Sequence, residues 1–245
     1  MNRFLHIYTK IYSSFILFFS MKKNLLFLII LIGIIFPISG KIESEFNITR
    51  LKYSGGGDWY GDPSSLPNLL KYIQDNTQIK TAENEIKAKI GDSKFFDNSY
   101  YYLTGHGNIK FTKDEQRTLR ESLLKGGFLH VDDNYGLDKS FRREIKEIFP
   151  EKELIELPKN HRIFNIYYEL SEGLPKIHEH DGKPAQALAL FDDGKIILLY
   201  TYESDLGDGW EDINVHNVPF LKRQSALKMG TNIVINYLTE QYYDK

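Results

Sequence analysis

The sequence contains no cysteine in 245 residues. Disulfides and a thiol nucleophile are therefore excluded together. No cysteine follows Gly40, so a bacterial lipid anchor is excluded as well. Tryptophan occurs only at Trp59 and Trp210, and there is no internal repeat, low-complexity tract or Pro/Gly-rich linker after residue 40. Neither sign of charge dominates, with 31 Lys and Arg against 33 Asp and Glu. With 42% hydrophobic and 26% charged residues, the chain has the profile of a globular protein with a sizeable core.

Long hydrophobic runs are also scarce. The longest, Leu25 to Ile38, spans 14 residues, short of the ~20 needed to cross a bilayer core. Met21, Lys22, Lys23 and Asn24 precede it and Ser39 and Gly40 close it, the pattern of a secretory signal peptide. Residues 1–20 read as an over-extended start, with Met21 as initiator, and an uncleaved anchor is the alternative. The expected mature chain, 41–245, is a single domain exported to the periplasm or the extracellular space, with no membrane association after cleavage. The leader holds Arg3, Lys10, Lys22 and Lys23 and no acid, so its removal takes the basic count from 31 to 27 against 33 acids, a formal charge of −6. Nucleic acid is an unsuitable partner for such a chain.

After the leader, apolar strand-like runs alternate with helical patterns, which predicts an α/β fold with a largely parallel central sheet and helices on both faces. Strands are expected at Phe46 to Tyr53, Glu85 to Ile90, Tyr100 to Leu103 and Phe128 to Val131. The Tyr100 and Phe128 runs are apolar on successive residues and should lie adjacent in the middle of the sheet. Helices are expected at about Leu66 to Gln74, after Ser64 or Ser65, at about Asp138 to Ile148, and at about Arg223 to Leu238. Thr112 and Glu115 form a capping box for one more, ended by Gly126 and Gly127. QALALF and KIILLYTY flank Asp192, Asp193 and Gly194 as a hairpin.

In an open parallel sheet, ligands bind outside the carboxyl ends of the strands. The unusual loops here, GGGDWYGD, GHGN, DDNYG and ESDLGDGWED, all follow strands, so Asp58, Trp59, His106, Asp132, Asp133, Asp205, Asp208, Trp210 and Glu211 could share one rim. Each also has a structural reading. GGGD lacks the Lys-Ser/Thr of a phosphate-binding loop and reads as a tight turn. His106 between two glycines is a solvent-facing turn residue or a functional one. The two tryptophans suit packing, or the edge of a pocket for a sugar or other polar ring. DLGDGW lacks calcium-loop spacing, so Asp205, Asp208 and Glu211 read as turn and helix-capping acids, and no metal ligand or cofactor is assigned. Asp132 and Asp133 end an apolar strand, where neighbours point to opposite faces; one can face a crevice while the other caps a helix.

The motifs YSGGGDWYGDP, YYLTGHGNIKFTKDEQRTLRESLLKGGFLHVDDNYG, LPKNHRIFNIYYEL and SDLGDGWED, in this order, resemble the bacterial family named domain of unknown function 4159, over about Phe46 to Thr239. That family is similar in fold to class I glutamine amidotransferases and ThuA-like proteins. The resemblance implies a flavodoxin-like three-layer α/β sandwich, with Asp132 or Asp133 where an amidotransferase carries its nucleophilic cysteine. A thioester mechanism is impossible without that thiol. Two function classes follow. One is a non-catalytic binding or accessory module taking a polar small molecule, a saccharide or a protein partner. The other is a hydrolase in which Asp132 or Asp133 acts with His106 or His161, on a saccharide or another polar substrate.

Overall fold

A computed structural model describes residues 45–242; the expected signal peptide lies outside them. The strands are β1 (Thr49–Lys52), β2 (Ile86–Lys89), β3 (Tyr100–Leu103), β4 (Phe128–Asp132), β5 (Ile155–Glu156), β6 (Gln186–Asp192) and β7 (Lys195–Tyr202). The helices are α1 (Ser65–Asn76), α2 (Lys113–Leu124), α3 (Asp138–Ile148), α4 (Leu206–Trp210), α5 (Ile213–His216) and α6 (Phe220–Tyr242). The strands form one sheet in the order β2-β1-β3-β4-β7-β6-β5. The pairs β2/β1, β1/β3, β3/β4 and β4/β7 are parallel, while β7/β6 and β6/β5 are antiparallel. The chain thus winds outward in both directions from β1 and β3, which places a topological switch point between them.

β3 and β4 lie side by side in the middle of this sheet. Their continuous apolar sequence is explained by burial on both faces, since alternate residues enter different cores. Tyr100, Tyr102 and Phe128 pack with Leu66, Leu69, Leu70 and Ile73 of α1 and Met229, Ile233 and Val234 of α6. Tyr101, Leu103, Leu129 and Val131 pack with Leu119 and Leu123 of α2 and Phe141, Ile145 and Ile148 of α3. The result is three layers, helix, sheet and helix. Truncating a fully buried Leu such as Leu119 to Ala would cost about 2–5 kcal/mol.

Local signals account for the element ends. Thr112 Oγ1 accepts from Glu115 N while the Glu115 carboxylate accepts from Thr112 N, so the capping box starts α2 as expected. β1 is shorter than the run Phe46 to Tyr53, because Phe46 makes only an isolated bridge to Thr81. β5, α4 and α5 are short, and no sequence periodicity announced them. No described helix is long and apolar enough to cross a membrane.

Candidate functional site

The loop after β1 is held from below by Arg50, whose side chain is buried inside the fold. Its guanidinium donates to Gly61 O at 2.7 Å, Asp62 O at 3.0 Å and Ser65 Oγ at 3.1 Å, and forms an ion pair with Glu85 at 3.4 Å. These bonds fix Asp62 with φ 51°, a left-handed conformation that costs energy for a non-glycine residue. Asn134, after β4, donates to Asp62 Oδ2 at 2.5 Å. The Asn134 carbonyl in turn accepts from Thr104 Oγ1 at 3.1 Å. Loops following β1, β3 and β4 are thereby tied together at the carboxyl end of the sheet.

Asp132 organises the neighbouring loop. Its Oδ1 accepts from Thr201 Oγ1 at 2.5 Å and Leu206 N at 3.2 Å, and its Oδ2 from Gly207 N at 2.6 Å and Tyr102 OH at 3.4 Å. Leu206 and Gly207 begin α4, so Asp132 supplies the carboxylate that a helix N-terminus favours. Asp205 occupies the N-cap position of α4 but makes no capping bond. Its carboxylate is free to face elsewhere. A Cβ on Gly207 would come within 2.7 Å of Asp62 Oδ2 and 3.0 Å of Tyr102 OH, which shows how closely the carboxylates enclose this turn.

Just past β7, Glu203 and Asp205 adopt φ 56° and 55°, and Ser204 between them anchors a distant segment. Ser204 Oγ donates to Pro175 O at 2.6 Å, its carbonyl accepts from Ile177 N at 2.8 Å, and Lys176 pairs with Glu203 at 3.1 Å. That anchorage brings the IHEH stretch over α4. His178 Nδ1 lies 2.5 Å from Asp208 Oδ2, and His180 Nε2 contacts Asp205 Oδ2. From the other side, α5 presents His216, with Nε2 at 3.3 Å from Asp208 Oδ1 and 3.9 Å from Asp62 Oδ1. Tyr135 stacks on His180 with ring centroids 4.8 Å apart.

The electrostatics follow from burial. Asp205 is pushed up to about 9 by desolvation first and then by the charges of Asp132, Asp208, Asp133 and Asp62. Asp208 rises to about 8, by burial and then by Asp62 and Asp132. Asp132 rises to about 7 because desolvation outweighs the bonds from Thr201, Gly207 and Leu206. Burial lowers His178, with the neighbouring His216 and His180 rings adding to it. Buried carboxylates crowded in this way are relieved by protons or by a bound cation. Imidazole nitrogens of His178 and His216 and one Asp208 oxygen all lie within 4.8 Å of one another.

Of the residues singled out in the sequence, Asp132, Asp205 and Asp208 converge here. Asp133 faces away, under Tyr200 and the backbone preceding α3, with its Oδ1 unpartnered. Burial raises its pKa, and bonds from Tyr200 and Leu137 N oppose that rise. The adjacent acids thus do serve opposite faces. Asp58 and His106 form a separate exposed pair, with His106 Nδ1 3.1 Å from Asp58 Oδ2. Trp59 packs beside them under Lys52, 5.2 Å from its ring. Trp210 is fully buried and donates to Ala226 O at 2.8 Å. Glu211 accepts from Ser64 N at 2.7 Å, at the start of α1. His161 caps the 3-10 turn at Arg162–Phe164, accepting from Ile163 N at 3.3 Å.

Asp62, His178, His180 and His216 escaped the sequence reading. The spacing His-x-His in IHEH was a visible signal for two of them. Asp62 and His216 had none beyond their positions in post-strand loops.

The family described as Domain of unknown function (DUF4159) matches residues 47–238, which is most of the chain. The chain belongs to this family. No curated protein matches it.

Proposed function

We propose that this member of the family is an exported module whose sheet-end crevice binds a polar, hydroxyl-rich small molecule such as a saccharide. On this reading the scaffold is of the class I glutamine amidotransferase kind, without that class's thiol chemistry. The supporting observation is the state of the two acids at the nucleophile position. Asp132 is fully buried and accepts four hydrogen bonds, so it is a strut rather than a nucleophile. Neither Asp132 nor Asp133 has the left-handed backbone of a strained nucleophile turn; Glu203 and Asp205 do. What the crevice offers instead is donors and acceptors, Asp62, Asp208, His178, His180 and His216, beside the exposed ring of Tyr135. Carboxylates, imidazoles and an aromatic face suit hydroxyl groups on a ring.

Isothermal titration of the purified protein with maltose and with cellobiose tests this. Saturable binding that His180→Ala weakens is expected. Binding of neither sugar, or binding indifferent to His180, would refute the saccharide reading.

A second reading, hydrolysis, draws on the Asp208 contacts with His178 and His216 and the Asp205 contact with His180. Such pairs can hold and pass a proton at the crevice edge. Release of nitrophenol from p-nitrophenyl glycosides, lost in Asp208→Asn, would favour it over simple binding.

A further inference from the structure

We propose that His178, Asp208 and His216 form a binding site for a divalent transition-metal cation of the Zn²⁺ class. The inference deepens the reading of the sheet-end crevice as the ligand site, and rests on it. Three ligand atoms from three separate segments meet there: Nδ1 of His178, a carboxylate oxygen of Asp208 and Nε2 of His216. His178 Nδ1 is 2.5 Å from Asp208 Oδ2, and His216 Nε2 is 3.3 Å from Oδ1 of the same carboxylate. All three atoms fall within 4.8 Å of one another. With metal–ligand bonds of about 2.0–2.2 Å, neighbouring ligands in a tetrahedral shell stand roughly 3.4 Å apart. These distances bracket that value, so the three side chains stand near the spacing of a tetrahedral shell.

The donor set selects the ion. Two imidazoles and one carboxylate suit Zn²⁺ and its neighbours, whereas Ca²⁺ and Mg²⁺ favour oxygen shells. Three protein ligands leave a fourth position, and the His178 and His216 side chains are 32% and 31% exposed, so that position opens to solvent or ligand.

An independent observation points the same way. Asp205 is 1% exposed, yet its Oδ1 has no hydrogen-bond partner. Its Oδ2 sits 3.9 Å from His178 Nδ1 and contacts His180. A buried carboxyl oxygen without a partner, on a residue whose other oxygen adjoins the triad, is costly unless a donor or cation satisfies it. Asp62 Oδ1 lies 3.9 Å from His216 Nε2, the ligating nitrogen itself, and Asp62 is held by Asn134, so a fixed carboxylate borders the site. Lys222 Nζ donates to Ile177 O at 3.0 Å, beside His178.

The test is Zn²⁺ titration of the purified, chelator-treated protein, carrying no histidine tag, by calorimetry, with Co²⁺ absorption as a second readout. One Zn²⁺ per chain is expected, and Co²⁺ should give the intense visible bands of a four-coordinate site. His178→Gln and His216→Gln, both at partly exposed positions, should fold normally by circular dichroism and lose roughly 100-fold in affinity. Asp62→Asn should lose about tenfold, because it removes the negative charge bordering the site. His106→Ala, in the separate pair, should bind as the wild type does. Absence of stoichiometric Zn²⁺ and of Co²⁺ bands in the folded wild type, or equal affinity in both Gln variants, would overturn the site. Maltose and cellobiose titrations in parallel separate the two readings. Sugar binding without Zn²⁺ binding overturns the metal site alone. Zn²⁺ held by the triad with no sugar bound supports the metal site and overturns the saccharide reading alone.

Discussion

Two Asp–His groups stand on loops at the carboxyl end of the sheet, and they are built in opposite ways. Asp58 and His106 are brought together by backbone. Gly57 N donates to Asn108 O at 3.0 Å and Asp58 N to His106 O at 3.3 Å, and a Cβ on Gly105 would lie 2.4 Å from Tyr53 OH. Glycine is required there so that two loops can mesh. The pair itself stays largely in water, with side chains 34% and 57% exposed. The cluster around Asp208 is assembled by side chains, Arg50, Asn134, Asp132 and Ser204, each reaching across the chain to pin a loop. The carboxylates of Asp132, Asp205 and Asp208 are buried, and burial makes them resist ionisation. Desolvation, more than residue type, separates a surface contact from a site whose charge state must be balanced.

The largest effect should come from removing the pin. Asp132→Ala leaves Tyr102 and the Leu206 and Gly207 amides without this acceptor, while Thr201 keeps Val131 O at 3.2 Å. Buried donors without partners cost about 1–3 kcal/mol each, less whatever water can replace, so a loss of about 3–5 kcal/mol is expected. Chemical denaturation measures it. A loss under about 1 kcal/mol would show that the cluster does not depend on this strut.

A smaller, pH-dependent effect belongs to His130, whose ring is buried beneath the cluster and bonded to Thr201 Oγ1 at 3.1 Å. Desolvation lowers its pKa to about 3 from the usual 6.5. The folded state holds the ring neutral while the unfolded chain takes up a proton. Its contribution to stability is thus complete above pH 6.5 and is lost as pH falls from there toward 3. Between pH 6.5 and 5 the wild type should lose about 2 kcal/mol through this group. His130→Leu should flatten that part of the stability–pH curve. Parallel curves for the two proteins would show that the ring protonates without unfolding.

The difference between the two regions also explains what the sequence disclosed. The strands Tyr100 to Leu103 and Phe128 to Val131, the Thr112–Glu115 capping box and the helix Asp138 to Ile148 are written in neighbouring residues, and all stand where local patterns put them. The parallel arrangement followed from alternation of strand and helix, and it carried Asp132, Asp205 and Asp208 to one end. The partners of Asp208 did not follow from any local pattern. His178 reaches it because Ser204 binds Pro175 and Ile177, and Asp62 is presented because Arg50 ties the loop after β1. Those long-range bonds have no periodicity to read. Trp210 and Glu211 failed to reveal their positions for the converse reason. Their loop looks polar and exposed in sequence, while α4 folds inward against α6 and α1.

The smallest effect is expected in the exposed pair. His106 Nδ1 and Asp58 Oδ2 make a 3.1 Å contact in which both side chains keep much of their hydration. Ion pairs of this kind are worth about 0–1 kcal/mol, and salt screens them. The His106 backbone amide also donates to Asp58 Oδ1, and that bond survives truncation of the imidazole. His106→Ala should therefore change stability by less than about 1 kcal/mol, with any loss shrinking further in high salt. Asp58→Ala should cost somewhat more, because it also strips the acceptor from the His106 amide at the junction of the two glycine loops. Thermal melts of both variants at low and high salt rank them. Were His106→Ala the more damaging of the two, the imidazole would be holding the loop junction itself, and the contrast between a backbone-built pair and a side-chain-built cluster would fail.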